Sequence, residues 1–178
     1  PDFKPPMPKP EWALNGTPHQ LCNPRAGNQF ELSPKDVAKR ERARQLAVKD
    51  EMQRWESIAV EDADYVLVAY GLPARSCKGA VDRLREQGMK VGLIRPISLW
   101  PYPEKAFREV NPNVKAFLSV ELNDMGQMVD DVALASKTAF PERNIPVYLS
   151  AQVCGVPSVK SIVAFCRDVA EGKETRIY

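Results

Sequence analysis

Histidine is almost absent from this sequence, and cysteine is scarce and scattered. The single histidine is His19, and the four cysteines stand at positions 22, 77, 154 and 166. Iron–sulfur ligation needs cysteines at short spacing, and zinc sites and acid–base catalysis commonly use histidine. We therefore expect none of these within this chain. Secreted disulfide frameworks have denser cysteines, and the wide spacing here favours a reducing cytoplasm.

The sequence also lacks long apolar runs and a large excess of charge of one sign. A bilayer-spanning helix needs about 20 apolar residues, whereas the run 65–70 is among the longest apolar runs here. Lysine and arginine number 25 against 23 acidic residues, which gives a formal net charge of +2. We therefore predict a soluble cytoplasmic protein without a signal peptide, with neither a nucleic-acid nor a membrane partner.

Proline is concentrated at one end of the chain, where eight of the sixteen prolines lie within residues 1–34. Because hydrophobic periodicity is missing there, residues 1–33 are predicted to form an extended arm that anchors on a neighbour through apolar side chains. A disordered tail is the alternative interpretation. Ser33 followed by Pro34 then marks a helix start, and a charged helix is predicted over residues 34–55.

From residue 56 onward, short apolar runs alternate with segments of helical periodicity. The runs predict buried strands at 65–70, 91–94, 116–121 and 146–149. The segments between and after them predict helices at 73–87, shortly after Pro103, at 125–139 and at 159–169. This alternation indicates an α/β domain over 56–178 with a mostly parallel sheet, and 55–60 is a candidate for an antiparallel edge strand.

Ligands of a doubly wound sheet bind beyond the carboxyl ends of its parallel strands. Three segments are expected at that edge: 71–76, 122–128 and 150–157. Each leads into a helix N-terminus, which favours an anion, although the sequence has no glycine-rich dinucleotide or phosphate motif. Arg75 and Arg95 stand near this edge as candidates to bind a carboxylate or phosphate. Ordinary tight turns and packing salt bridges are the alternatives.

Three strings in the sequence carry a resemblance to a known family. They are Val68-Ala69-Tyr70-Gly71 with Ala74-Arg75, then Leu93-Ile94-Arg95-Pro96 with Leu99-Trp100-Pro101-Tyr102-Pro103, and then Val120-Glu121 with Met125-Gly126-Gln127-Met128-Val129. In this order and spacing, they resemble the C-terminal region, domain II, of the α subunit of 2-oxoacid:ferredoxin oxidoreductases. Within that family the resemblance is to the 2-oxoisovalerate (3-methyl-2-oxobutanoate) branch.

The resemblance implies a transketolase C-terminal-like fold, which is a three-layer α/β/α domain. Its five-stranded, mostly parallel sheet has the order 1-3-2-4-5, with strand 1 antiparallel. The whole complex is implied to decarboxylate a 2-oxoacid oxidatively to acyl-CoA in anaerobic metabolism, using thiamine diphosphate, Mg²⁺, iron–sulfur clusters and coenzyme A. The implied partners are the N-terminal thiamine pyrimidine-binding domain of the same subunit and the β, γ and ferredoxin-like subunits.

Under this interpretation the chain is a structural and assembly domain that holds no cofactor and is inactive in isolation. Six residues are candidates for interface or anion contacts: Gly71, Arg75, Arg95, Glu121, Gly126 and Gln127. None of them is predicted to be catalytic. The segment 150–157 departs from the family pattern because it keeps only Gly155 and Pro157 of the expected glycine, arginine and proline positions.

Two other interpretations of the sequence are open. One is the C-terminal domain of a transketolase or of a lipoate-linked 2-oxoacid dehydrogenase, which would have the same sheet. The other is a free-standing anion-binding or regulatory α/β module.

Overall fold

The computed structural model describes residues 33–175, 177 and 178. Residue contacts divide the chain into two compact units, 1–45 and 46–178. The predicted extended arm lies outside the described residues except for Ser33, and it stays a prediction.

Helix α1, Pro34–Glu51, begins as its sequence predicts. The backbone N–H of Asp36 donates to the Ser33 hydroxyl at 3.2 Å, so Ser33 caps the helix. No residue of α1 is buried, which agrees with its charged composition. The helix ends before the predicted residue 55, because Trp55 already belongs to a strand and pairs with Pro96.

The unit 46–178 continues as an alternation of strands and helices. Its strands are β1 (Trp55–Ile58), β2 (Tyr65–Val68), β3 (Val91–Pro96), β4 (Ala116–Glu121) and β5 (Val147–Ala151). Its helices are α2 (Gly71–Glu86), a 3₁₀ helix (Glu104–Glu109), α3 (Met128–Ala139) and α4 (Val159–Ala170). The predicted strands and helices of this region are thus confirmed, with shifted boundaries. Among the described helices, none combines the length and the apolar character that a bilayer crossing requires.

The five strands form one sheet in the order β1-β3-β2-β4-β5. Strand β1 is antiparallel to β3, and every other neighbouring pair is parallel. In this register Leu67 of β2 lies between Leu93 of β3 and Leu118 of β4. The predicted fold class and strand order are confirmed.

Both faces of the sheet are buried, which explains why the strand sequences are continuously apolar rather than alternating. On one face, Leu67, Leu93 and Leu118 pack with side chains of α2 and α4, namely Cys77, Ala80, Leu84, Ile162 and Cys166. On the other face, Val66, Ile94 and Phe117 pack with the 3₁₀ helix and α3 through Ala106, Phe107, Val132 and Ala135. The result is the three-layer α/β/α arrangement.

Arg85, near the end of α2, holds the start of β3 and the loop between β1 and β2 together. Its Nε donates to the carbonyl of Val91 at 2.7 Å, and its Nη2 donates to the carbonyl of Ala59 at 2.7 Å. The same Nη2 lies 2.6 Å from a carboxylate oxygen of Asp62. Ala59 has a φ of 51°, in the left-handed region that residues other than glycine rarely adopt, so this guanidinium stabilises an unfavourable backbone conformation.

We expect Arg85→Lys to lower the free energy of unfolding by about 2 kcal/mol, because one ammonium cannot reproduce the separate hydrogen bonds of a guanidinium to two partly buried segments. Urea denaturation measures this change. Arg83→Lys is the matched control, since Arg83 is exposed on the same helix, and it should leave stability within about 0.5 kcal/mol. Equal effects of the two substitutions would contradict the role assigned to Arg85.

Candidate functional site

Strands β2, β3, β4 and β5 run parallel, so their carboxyl ends and the segments that follow them meet at one edge of the sheet. Gly71 begins α2 soon after β2, and residues 97–103 follow β3. Residues 122–127 and 152–158 follow β4 and β5. This carboxyl edge is the location that sequence reasoning assigns to ligands or partners.

Glu121, the last residue of β4, is a buried carboxylate that is only 1% exposed. Its two oxygens accept five hydrogen bonds. The donors are the Ser119 hydroxyl (2.8 Å), the Asn123 side-chain amide (3.1 Å) and the backbone N–H groups of Gln127 (2.7 Å), Met128 (2.9 Å) and Val129 (2.9 Å). Glu121 therefore caps the N-terminus of α3 from inside the protein.

The environment of Glu121 favours its ionised form. Burial raises the pKa of the carboxyl group, but the hydrogen bonds from the backbone and from the polar side chains outweigh burial, and the pKa lies below its ordinary value. The N-terminus of α3 already interacts with a fixed negative charge supplied by the chain itself. A further anion at this helix end would be repelled.

Gly126 and Gln127 shape the turn that brings the α3 amides onto Glu121. Gly126 has a φ of 75°, in the left-handed region. A Cβ on Gly126 would lie 2.8 Å from Cγ1 of Val129 and 2.9 Å from Cδ2 of Leu149. The backbone N–H of Gln127 makes the shortest hydrogen bond to Glu121, while its side chain is exposed. Three of the six candidate residues thus form one structural unit.

The other three candidates lie around α2 and its neighbouring strands. Gly71 opens α2 with a φ of 60°. Arg75 and Arg95 line a groove between β1 and α2. Nη1 of Arg95 lies 3.0 Å from a carboxylate oxygen of Glu56 on β1. Arg95 therefore forms a salt bridge within the chain, which the sequence left open as the alternative to anion binding.

Several residues of the carboxyl edge were missed by sequence reasoning. Ser119 and Glu121 stand two residues apart in β4, so they share a face of the strand. Two polar residues on one face of an otherwise apolar strand are a sequence signal for a buried polar contact. Asn123 carries no comparable signal. Tyr102 is also buried near this cap: burial raises the pKa of its hydroxyl, and the charges of Asp131 and Glu121 raise it further.

The four segments at the carboxyl edge expose large apolar side chains to solvent. Those exposed by at least two fifths are Leu72 after β2, Ile97, Leu99 and Trp100 after β3, Leu122 and Met125 after β4, and Val153 and Val156 after β5. We call this set the edge surface. Met125 is 86% exposed, although methionine is normally buried or at an interface. Clusters of exposed apolar residues mark interaction sites.

The segment after β5 is tied to the same edge. The backbone N–H of Gln152 donates to the carbonyl of Glu121 at 3.0 Å, and its side-chain amide donates to the carbonyl of Cys154 at 2.8 Å. Val153 and Val156 therefore project from a turn with internal hydrogen bonds. Within the parts of the chain that the structure describes, no group of three or more His, Cys, Asp or Glu side chains could hold a metal ion.

Comparison with known proteins assigns the fold to a family. Residues 63–160 match the family described as pyruvate:ferredoxin oxidoreductase core domain II. The chain belongs to this domain II family. The matched residues include β2 to β5 and both α2 and α3, so the resemblance stated from the sequence strings is confirmed. The interpretations as a transketolase domain or as an unrelated anion-binding module are correspondingly set aside.

Similar proteins carry names from the same group of enzymes. Ketoisovalerate oxidoreductase subunit VorB of Methanothermobacter marburgensis is 48% identical over 90 residues, which cover 51% of this chain and 25% of that protein. 2-Oxoglutarate synthase subunit KorA of Methanocaldococcus jannaschii is 38% identical over 91 residues, covering 51% of this chain and 24% of that protein. The aligned part of this domain II chain therefore spans about a quarter of these relatives.

Solved structures agree on the fold. A 2-oxoglutarate:ferredoxin oxidoreductase from Magnetococcus marinus superposes with a TM-score of 0.57 at 24% identity, covering 76% of this chain and 23% of that one. A split gene transketolase superposes with a TM-score of 0.54 at 20% identity, covering 68% of this chain and 42% of that one. At these identities the likeness establishes the transketolase-like fold of domain II and nothing further.

Proposed function

We propose that this chain is the structural and assembly domain of a thiamine-dependent 2-oxoacid:ferredoxin oxidoreductase, and that it docks through its edge surface on the thiamine-binding domains. The observation that carries the proposal is the set of exposed apolar side chains on all four segments that follow the parallel strands. Burying apolar surface contributes about 25 cal/mol per Å². A partner that covers these side chains would therefore gain a substantial driving force for association.

The loop between β4 and α3 suits such a support role because its conformation is fixed from within. Glu121 holds three consecutive backbone N–H groups at the start of α3. The exposed Met125 lies in this loop, next to Gly126. A loop that is rigid before binding loses little conformational entropy on association. We propose that Gly71, Arg75, Arg95 and Gln127 contact partner subunits, and that Glu121 and Gly126 act indirectly by shaping this loop.

Thiamine diphosphate does not fit the N-terminus of α3 in this chain. Its diphosphate is anionic, and the amides that would receive an anion are already bound to the ionised Glu121. We propose that thiamine diphosphate, Mg²⁺ and the iron–sulfur clusters are held by other domains of the complex. The Magnetococcus marinus enzyme is described with coenzyme A and succinyl-CoA bound. We propose coenzyme A as a substrate of the complex here too.

The partners we propose are the N-terminal pyrimidine-binding domain of the same subunit and the β, γ and ferredoxin-like subunits, in the cytoplasm. Relatives named for ketoisovalerate oxidoreductase and for 2-oxoglutarate synthase support a 2-oxoacid substrate of the complex. The higher identity to the ketoisovalerate subunit favours 2-oxoisovalerate, and the resulting product would be an acyl-CoA.

Met125→Glu tests the docking proposal. When the chain is mixed with the separately prepared thiamine-binding domains, we expect this substitution to weaken their association at least about tenfold, because a carboxylate would be placed in an apolar contact. Leu134→Glu is the matched control, since Leu134 is 62% exposed on the outer side of α3, outside the edge surface. Titration of the purified components measures the two affinities.

Both substitutions change exposed side chains, so the thermal midpoints of the isolated chains should stay close to that of the unmodified chain. Unaltered association of Met125→Glu, or an equal loss with Leu134→Glu, would remove the support for docking through the edge surface.

A further inference from the structure

A groove runs between the edge strand β1 and helix α2, with a volume of about 480 Å³. It is lined by Glu56, Ile58, Ala74, Arg75, Lys78, Leu93 and Arg95. Helix α2 packs on β3, and the same side of β1 is only partly covered, because Glu56 and Ile58, which line the groove, are partly exposed. The groove is therefore the uncovered part of a sheet face that is otherwise buried by helices.

The charges along this groove are unbalanced. Arg75, Lys78 and Arg95 line it, while Glu56 is the one carboxylate among its described lining residues. Nη1 of Arg95 lies 3.0 Å from one oxygen of Glu56, and Nζ of Lys78 lies 3.9 Å from the other. Among the described residues, Arg75 forms no ion pair or side-chain hydrogen bond of its own. Within the part of the chain that the structure describes, one carboxylate thus serves two cations, and the third has no counter-charge.

The cations are distributed along the groove. Arg75 and Lys78 are three residues apart on α2, which separates them by about 4.5 Å along the helix axis on the same face. Arg95 lies across the groove, opposite Glu56 on the neighbouring strand. Lys78 and Arg95 converge on the carboxylate of Glu56, whereas Arg75 stands apart from it, so the groove offers cations at two separate points. Two such points suit two carboxylates carried on one extended segment, whereas a single small anion needs donors that all converge on one point. Arg75 and Arg95 can each bind a carboxylate with two parallel hydrogen bonds.

We propose that the β1–α2 groove docks an acidic segment of a partner protein, in which carboxylate side chains alternate with apolar ones. The carboxylates pair with Arg75, Lys78 and Arg95, and the apolar side chains contact Ile58. Glu56 competes with the incoming carboxylates for Arg95 and Lys78. The inference rests on the proposed function only for the existence of partner subunits, and it adds a contact outside the edge surface.

Because Glu56 competes with the incoming carboxylates, substitutions of Arg75 and of Glu56 should change the affinity for an acidic peptide in opposite directions. A short fluorescein-labelled peptide that alternates Glu with Leu is titrated with the full chain at low salt, and binding is read as fluorescence anisotropy. We expect Arg75→Gln to weaken binding about threefold and Glu56→Gln to strengthen it about threefold. Arg83→Gln, on α2 but outside this groove, should leave the affinity unchanged, and the peptide with Gln in place of Glu should not bind.

Added salt should weaken the binding of the acidic peptide, because exposed charges are screened. Equal losses for Arg75→Gln and Arg83→Gln would mean unspecific attraction and would overturn the proposal. The proposal would also be overturned if Glu56→Gln did not strengthen binding, or if inorganic phosphate at equal concentration displaced the peptide. Self-association of the chain at low salt that Arg75→Gln abolishes would overturn it as well. Met125→Glu should leave peptide affinity unchanged, so that a failure of this inference is separable from a failure of docking through the edge surface.

Discussion

Replacing Glu121 with Gln is expected to lower the free energy of unfolding by about 4 kcal/mol at neutral pH. The side chain keeps its shape but loses its charge, and one of its oxygens becomes an amide group that donates. The backbone N–H groups that now point at that position, from Gln127, Met128 or Val129, would then face another donor inside a buried site. Charge-assisted hydrogen bonds are lost, and at least one buried donor is left without an acceptor.

The same carboxylate should make stability depend on pH. Because the folded-state pKa of Glu121 lies below its ordinary value of 4.5, the folded protein holds this proton less tightly than the unfolded chain does. The stabilisation is fully present above that ordinary value and is lost as the pH falls through the folded-state pKa. The stability difference between the unmodified chain and Glu121→Gln should therefore be constant near neutral pH and shrink in acid.

Urea denaturation of both proteins across this pH range measures the difference. Asp124→Asn is the matched control, because Asp124 is an exposed acid in the same loop, and it should change stability by less than about 0.5 kcal/mol. A loss from Glu121→Gln no larger than that of the control would show that the buried cap contributes nothing. A difference that grows in acid would contradict the direction assigned to the pKa.

The sheet could be predicted from the sequence because its strands are short apolar runs buried on both faces, such as 65–68 and 116–121. These runs stand out against the helical periodicity between them, and parallel neighbours require the helical crossovers. The strand order came from the resemblance, since local patterns carry no information on which strands are neighbours. The end of α1 was misplaced because Val48, Met52 and Trp55 recur at helical spacing, so that Trp55 fits the end of a helix as well as an edge strand.

The candidate site could be predicted only in part, because its contacts join residues that the sequence does not mark as partners. Glu121 was identified through the family string, but its five hydrogen bonds depend on how the turn at Gly126 folds back onto β4. Arg95 was placed near the ligand edge, yet its partner Glu56 lies on an antiparallel strand. Such a pairing follows from register, which periodicity does not determine.

Gly126→Ala tests whether the turn itself holds the cap in place, and we expect it to lower the free energy of unfolding by about 3 kcal/mol. Part of the loss is the left-handed backbone, which costs an L-residue about 1 kcal/mol or more. The rest arises because the added methyl group would lie within 3 Å of side chains of Val129 and Leu149, and packing must give way.

Gly155→Ala separates these two contributions. Gly155 has a φ of 78°, close to the 75° of Gly126, but among the described atoms a Cβ there would meet only the side-chain amide of Gln152 at 3.6 Å, an ordinary contact. Its substitution should therefore cost about 1 kcal/mol, the backbone contribution alone. If urea denaturation gives equal losses at the two positions, the close packing around Gly126 has no energetic weight. A larger loss at Gly126 means that the loop carrying Met125 is held rigid by packing from β5 and α3, which is the property that a docking surface on a support domain requires.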